Sequence, residues 1–336
     1  MRGIAALIVA MYHFGEKHSW KLVPQGYLAV DFFFLLSGFV LAHHYGGKLG
    51  NDLTINRFVT LRVIRLYPLH LLGLIIGAIV FLGQTGMNGA SFDAVVLLPL
   101  FANALMLPST STPLLFPFNG AQWSIFIELL INLMFALLLY RMRSSTLLLV
   151  VLAGVVGLLV TVGMPFFFDM GWAWTNLPGG LLRALFAFPT GMLMSRLMSG
   201  KPCTRSPVAA LACATLFALL FAPVPRDFQI VYEFAVVLIG FPIVVLAGVR
   251  YEPSAWLKKP FGFLGDISYA IYAIHPPLAI VLIALGIRTG VADNVALPLY
   301  LVIICAIATL CVRFYDAPLR AALSRYLHVR RTAHGN

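Results

Sequence analysis

The sequence predicts an all-α polytopic membrane protein: about ten transmembrane helices, one re-entrant or interfacial segment, and both termini cytoplasmic. Three observations predict it. Hydrophobic residues fill 61% of the 336 positions and charged residues only 10%, against about 25% charged in a soluble domain. Mean hydropathy is +0.94, more apolar surface than a soluble fold of this size can hide. The apolar residues also fall into runs whose connections alternate between basic and charge-poor. A net charge of +11 on a soluble domain would suggest a nucleic-acid partner. Here the cations are spread over short loops, which is the positive-inside pattern.

The apolar runs lie at about 2–20, 27–45, 62–83, 91–107, 122–140, 145–164, 177–198, 206–223, 229–249, 266–288 and 294–314. Arg57, Arg62 and Arg65 precede or open the third run. Arg141 and Arg143 follow the fifth, Arg196, Lys201 and Arg205 the seventh, and Arg250, Lys258 and Lys259 the ninth. Arg313, Arg320, Arg325, Arg330 and Arg331 close the chain. With the basic connections inside, an even number of crossings must separate Arg65 from Arg141. The run at 91–107 is the weakest of the three between them. It is short and carries or adjoins Asp93, Pro99, Asn103 and Pro108, so it is assigned as re-entrant or interfacial. No internal repeat and no soluble appendage is visible. One integral membrane domain spans 1–336, ending in a basic cytoplasmic tail from about 315 to 336.

Ionisable groups inside such runs are costly and are usually retained for a task. Arg2 and His13 lie eleven residues apart in the first run. Helical geometry puts them within about 20° of one face and about 16 Å apart along the axis. The arginine then sits at the inner surface and the imidazole near mid-membrane. The same arithmetic brings His275, Glu128 and Ser37 to a similar layer, with Asp31 nearer the outer side. Glu128 has no cation in its own helix and needs a partner, water or a proton. Pro276 and Pro277 break the helix after His275 and free backbone carbonyls. Arg62 and Arg65 share a helical face and suit a phosphate clamp as well as membrane anchoring. His18, His43, His44 and His70 lie near interfaces and are set aside, and Gly38, Gly73 and Gly77 are assigned to close helix packing.

Other chemistry has no sequence signature. Cys203, Cys213, Cys305 and Cys311 show no CxxC spacing, so neither a disulfide framework nor a metal site is expected. There is no GxSxG elbow, P-loop or strand-to-helix GxGxxG. Two function classes remain: a membrane-embedded enzyme, or a proton-coupled secondary transporter or flippase built on the same mid-membrane groups.

The spaced motifs resemble the acyltransferase-3 family of bacterial membrane acyltransferases. Arg2 to His13 matches an R-x10-H motif. Asp31 to Phe39 resembles FFxxSGF, with Ser37 as its serine. Arg62, Arg65 and Pro68 resemble RxxRxxP. Trp123 and Ser124 through Glu128 are similar to a Trp-Ser…Glu element, and Ser268, Tyr269, Tyr272 and His275 to SYxxYxxH. The order is kept over nearly the whole chain. Two positions depart from the pattern: a single residue precedes Arg2, and Tyr315-Asp316-Ala317-Pro318 carries Asp where the family has Glu.

The resemblance implies transfer of an acyl group, often acetyl, from cytoplasmic acyl-CoA to a hydroxyl of a surface glycan or lipid-linked sugar. The setting implied is the bacterial inner membrane. Arg2, Arg62 and Arg65 are then expected to bind acyl-CoA. His13 is expected to act as general base, oriented by Glu128 or Asp31, through direct transfer or an acyl-histidine. Ser37, Trp123, Ser124, Tyr269 and His275 are expected to support substrate or structure. No metal is implied.

Overall fold

A computed structural model describes residues 1–17, 22–86, 94–161, 167–200, 203–289 and 293–333. His18, Asp93 and Lys201, named above, lie outside them. The chain is helical almost throughout. The first helices are α1 (Arg2–Lys17), α2 (Ala29–Tyr45), α3 (Ile55–Gly86), α4 (Ala94–Ala104), α5 (Gln122–Leu137), α6 (Ser144–Thr161), α7 (Leu177–Met198) and α8 (Val208–Phe221). Next, α9 (Gln229–Ala235) runs through a π-helical turn, Val236–Gly240, into α10 (Phe241–Arg250). The chain continues as α11 (Ala255–Thr289) and α12 (Asp293–Cys311), which passes through a second π turn, Val312–Asp316, into α13 (Ala317–Ala333). Two-residue strands Thr204–Arg205 and Tyr251–Glu252 pair in parallel.

Seven helical stretches among the described residues are long and apolar enough to cross a membrane, and Gln122–Leu137 and Val208–Phe221 are shorter apolar helices. The surface fits that solvent: on α6, Val160 is 82% exposed and Leu149 65%, with no polar face opposite. Helix α4 has 11 residues with Pro99 inside it. At about 16 Å it is too short for a hydrocarbon core of about 30 Å.

Three boundaries differ from those the apolar runs predict. Helix α3 begins at Ile55 and α11 at Ala255, each several residues before its run, and α13 carries the basic tail as helix to Ala333. Apolar runs mark the stretch suited to lipid. Backbone hydrogen bonding continues beyond it wherever charged side chains find water or a partner.

Two helix pairs organise the interior: α1 packs along α11, and α2 along α7. The second contact is backbone against backbone. A Cβ on Gly38 would collide with the Phe188 carbonyl, and one on Gly191 with the Leu35 carbonyl. Only glycine at both positions allows this approach. It brings Asp31 on α2 against Arg183 on α7.

Candidate active site

Helices α1, α2, α3, α5 and α11 line an open cavity of about 860 Å³, its solvent-filled mouth included. Arg2, at the start of α1, shares its lining with Arg62 and Arg65, three residues apart on α3 and therefore on one face. Arg65 is exposed, whereas Arg62 is turned inward and buried. The Arg62 Nη2 lies 3.3 Å from Glu128 Oε1, and Ser37 Oγ donates to the same carboxylate oxygen at 3.2 Å. The cation that Glu128 lacks in its own helix thus comes from α3. The buried Nε of Arg62 has no hydrogen-bond partner, so its donor set is incomplete.

The cavity is also lined by Ser124 and Tyr272, whose hydroxyl oxygens are 2.5 Å apart. Tyr269 also lines it, and its hydroxyl donates to the Leu66 carbonyl at 2.7 Å, tying α11 to α3. His275 lies behind Tyr272, with ring centroids 5.6 Å apart. It is fully buried, and its Nε2 is 3.1 Å from Nδ1 of His13. The two imidazoles that helix arithmetic put at one depth are thus in contact. His13 sits near the opposite end of α1 from Arg2. Beside it, Tyr12 donates to Glu16 at 3.0 Å and reaches Asp169 at 3.5 Å.

Asp31 has a different partner from the one expected. Both its oxygens are engaged by Arg183, with Nε at 3.0 Å from Oδ1 and Nη2 at 2.7 Å from Oδ2. The rest of that guanidinium donates to the carbonyls of Met170, at 2.7 Å, and Tyr27, at 3.0 Å. A carboxylate held in a bidentate ion pair has its lone pairs committed, so Asp31 leaves the candidate site as a structural group. Trp123 goes with it: its ring lies 5.5 Å from the Arg183 guanidinium and packs against Gly171. His70, set aside as interfacial, is buried and bonds the Asn103 carbonyl at 2.8 Å. Asp316, the departure from the family's Glu, pairs with Arg320 at 3.0 Å.

Arg183 is the main omission of the sequence reading. Its signal was available, since a cation well inside the run 177–198 demands a carboxylate elsewhere. The polar group next to Tyr12 was also missed. There the Tyr27 hydroxyl bonds Glu233, and Gln229 donates to Glu233 at 3.0 Å. Glu233 also accepts from the Phe168 amide at 3.1 Å. Asp169, in the connection between α6 and α7, is pushed above the usual carboxylate range by burial, against the opposing fields of Arg183 and His13. Nothing in local spacing joins residues 12, 169 and 233. Only the fold does.

Comparison with known proteins adds a second line of argument. A family described as an acyltransferase domain matches residues 1–315. The chain is 27% identical over 304 residues to a protein of Acidianus two-tailed virus provisionally named an acetyltransferase, covering 87% of this chain and 86% of that one. It is 38% identical over 152 residues to protein 2 of the picA locus of Rhizobium radiobacter, covering 40% of this chain and 78% of the relative. No solved structure matches it significantly.

Proposed function

The chain belongs to the acyltransferase-3 family and is an acyltransferase, and on that premise we propose that it moves an acyl group, acetyl in the simplest case, from cytoplasmic acyl-CoA to a hydroxyl of a glycan or lipid-linked sugar. The membrane is a bacterial inner membrane in this reading, crossed about ten times with both termini inside. One observation carries the proposal. Arg2 and His13 stand on a single helix, α1, about 16 Å apart, with an arginine-lined cavity at one end and an imidazole pair at the other.

The cavity suits a donor with a polyanionic end. Arg65 and Arg2 present cations toward its mouth, and Arg62 holds an unused Nε–H, which a phosphate or pantetheine carbonyl would satisfy. A thioester carried inward along the pantetheine arm arrives at Ser124 and Tyr272, one side chain from the histidines. The acceptor hydroxyl comes from the end of α1 that bears Tyr12 and Glu16, where Asp169 and Glu233 can accept hydrogen bonds from neighbouring hydroxyls.

His13 is the general base. It takes the proton of the acceptor hydroxyl as that oxygen attacks the thioester carbonyl. The C–S bond breaks, and the CoA thiolate leaves with the proton returned by the imidazolium. Ser37 and Glu128 position Arg62 and the cavity wall. A carrier has no observation of its own in its favour.

The test is label transfer from radiolabelled acetyl-CoA to envelope glycan by purified protein in bilayers. His13→Ala should lower transfer by about 100-fold or more while the melting profile is kept. Normal turnover in that variant would remove His13 from the mechanism.

A further inference from the structure

The prolines of α11 govern more than its shape. In an α-helix the carbonyl of residue i accepts from the amide of residue i+4. Pro276 and Pro277 have no amide hydrogen, so the carbonyls of Tyr272 and Ala273 lose their helical donors. Each is taken up by a side chain instead. His275 Nδ1 lies 2.8 Å from the Tyr272 oxygen, and Asn119 Nδ2 donates to the Ala273 oxygen at 2.8 Å. Helix α11 therefore continues through both prolines without the break that they predict; Asn119 anchors it there, and His275 acquires a defined protonation pattern.

A carbonyl only accepts. The hydrogen of His275 therefore sits on Nδ1, and in the neutral ring Nε2 keeps its lone pair. That nitrogen faces His13 Nδ1 at 3.1 Å. His13 Nδ1 also lies 3.1 Å from the Val9 carbonyl, again an acceptor. Both contacts require the His13 hydrogen on Nδ1, which leaves the basic lone pair of His13 on Nε2. We propose that His275 is a positioning residue. Its tautomer is set by the carbonyl that Pro276 leaves unbonded, and together with the Val9 carbonyl it holds His13 in the Nδ1–H form, with Nε2 as the base. The hydrogen bond also strengthens as His13 becomes an imidazolium, because its donor is then charged. The catalytic consequence rests on reading His13 as the base. The tautomer itself does not.

The experiment is solid-state NMR of ¹⁵N-histidine-labelled protein in bilayers, with the His13 signals assigned by their loss in His13→Gln. The expected wild-type pattern is a protonated Nδ1 and an unprotonated Nε2 for His13. His275→Leu removes the acceptor. Pro276→Ala gives the Tyr272 carbonyl back a helical donor. Both should give His13 a mixed tautomer population and lower kcat on the order of 100-fold, with KM for acetyl-CoA unchanged. His275→Gln offers an amide oxygen in place of Nε2 and should recover kcat to within about threefold of wild type. An Nε2–H form of His13 in the wild type would overturn the proposal, as would a His13 tautomer unaltered in His275→Leu or Pro276→Ala. If the predicted tautomers are found while His13→Ala turns over normally, the transferase role of His13 fails and the positioning pair stands.

Discussion

Two arginine–carboxylate pairs among the described residues, Arg183 with Asp31 and Arg62 with Glu128, are built for different ends. Arg183 and Asp31 are both about 1% exposed and meet at 2.7 Å. The guanidinium also satisfies two backbone carbonyls and stacks on Trp123. Arg62 and Glu128 meet through one contact at 3.3 Å, with side chains 8% and 22% exposed. Ser37 shares the carboxylate oxygen, and the Arg62 Nε has no partner. The first pair is saturated and joins α2 to α7. The second is under-coordinated and forms the wall of a cavity. A guanidinium with an idle donor beside an empty volume can change partners when a ligand arrives, and a saturated one cannot. The same residue types thus serve architecture in one place and recognition in the other, and the difference lies in how many donors the fold leaves unused.

The comparison breaks most decisively if the saturated pair proves dispensable. Arg183→Leu leaves Asp31 as an uncompensated charge between α2 and α7. It should destabilise the protein by about 3–5 kcal/mol, read as loss of folded protein in detergent or a large fall in Tm. The double variant Asp31→Leu with Arg183→Leu should recover much of that loss, because the desolvated charge is gone. A single variant as stable as wild type would mean that the pair contributes nothing to holding these helices.

Glu128→Gln should reverse the balance between stability and activity. The amide keeps the size and still accepts from Ser37, and the partly exposed pair contributes little to stability, so Tm should move by only a few degrees. Acyl transfer should fall about tenfold as Arg62 loses its counter-charge and its fixed position. A collapse in Tm comparable to that of Arg183→Leu would put both pairs in the same structural class.

The all-α membrane class was legible in the sequence because hydropathy integrates over many residues and tolerates local exceptions. The similar depth of His13 and His275 was legible too, since depth along a helix follows from rise per residue alone, but their contact was not. Depth does not fix azimuth, however. Asp31 lies on the face of α2 that meets α7, and its choice of Arg183 depends on the glycine contact between Gly38 and Gly191. Neither is visible from a count of rises. Helix ends failed for a related reason. Arg62 was placed at the mouth of a run, whereas it is a helix-interior residue turned inward and compensated from α5. The roles of Tyr272 and Asp169 were out of reach, because each depends on neighbours more than 60 residues away in the chain.

The smallest expected effect sharpens the comparison within the cavity itself. Arg65 lines the cavity with Arg62 but is exposed. Water and salt screen its charge, so its contribution to binding a polyanionic donor is modest. In the proposed reaction the thioester lies beyond Tyr272, remote from Arg65. Arg65→Ala should therefore raise the KM for acetyl-CoA about fivefold, leave kcat nearly unchanged, and lose effect as ionic strength rises. Loss of kcat with KM unchanged would move Arg65 from donor capture into the chemistry. An unaltered KM at low salt would reduce it to a membrane anchor, leaving Arg2 and the idle donor of Arg62 as the cations that meet the donor.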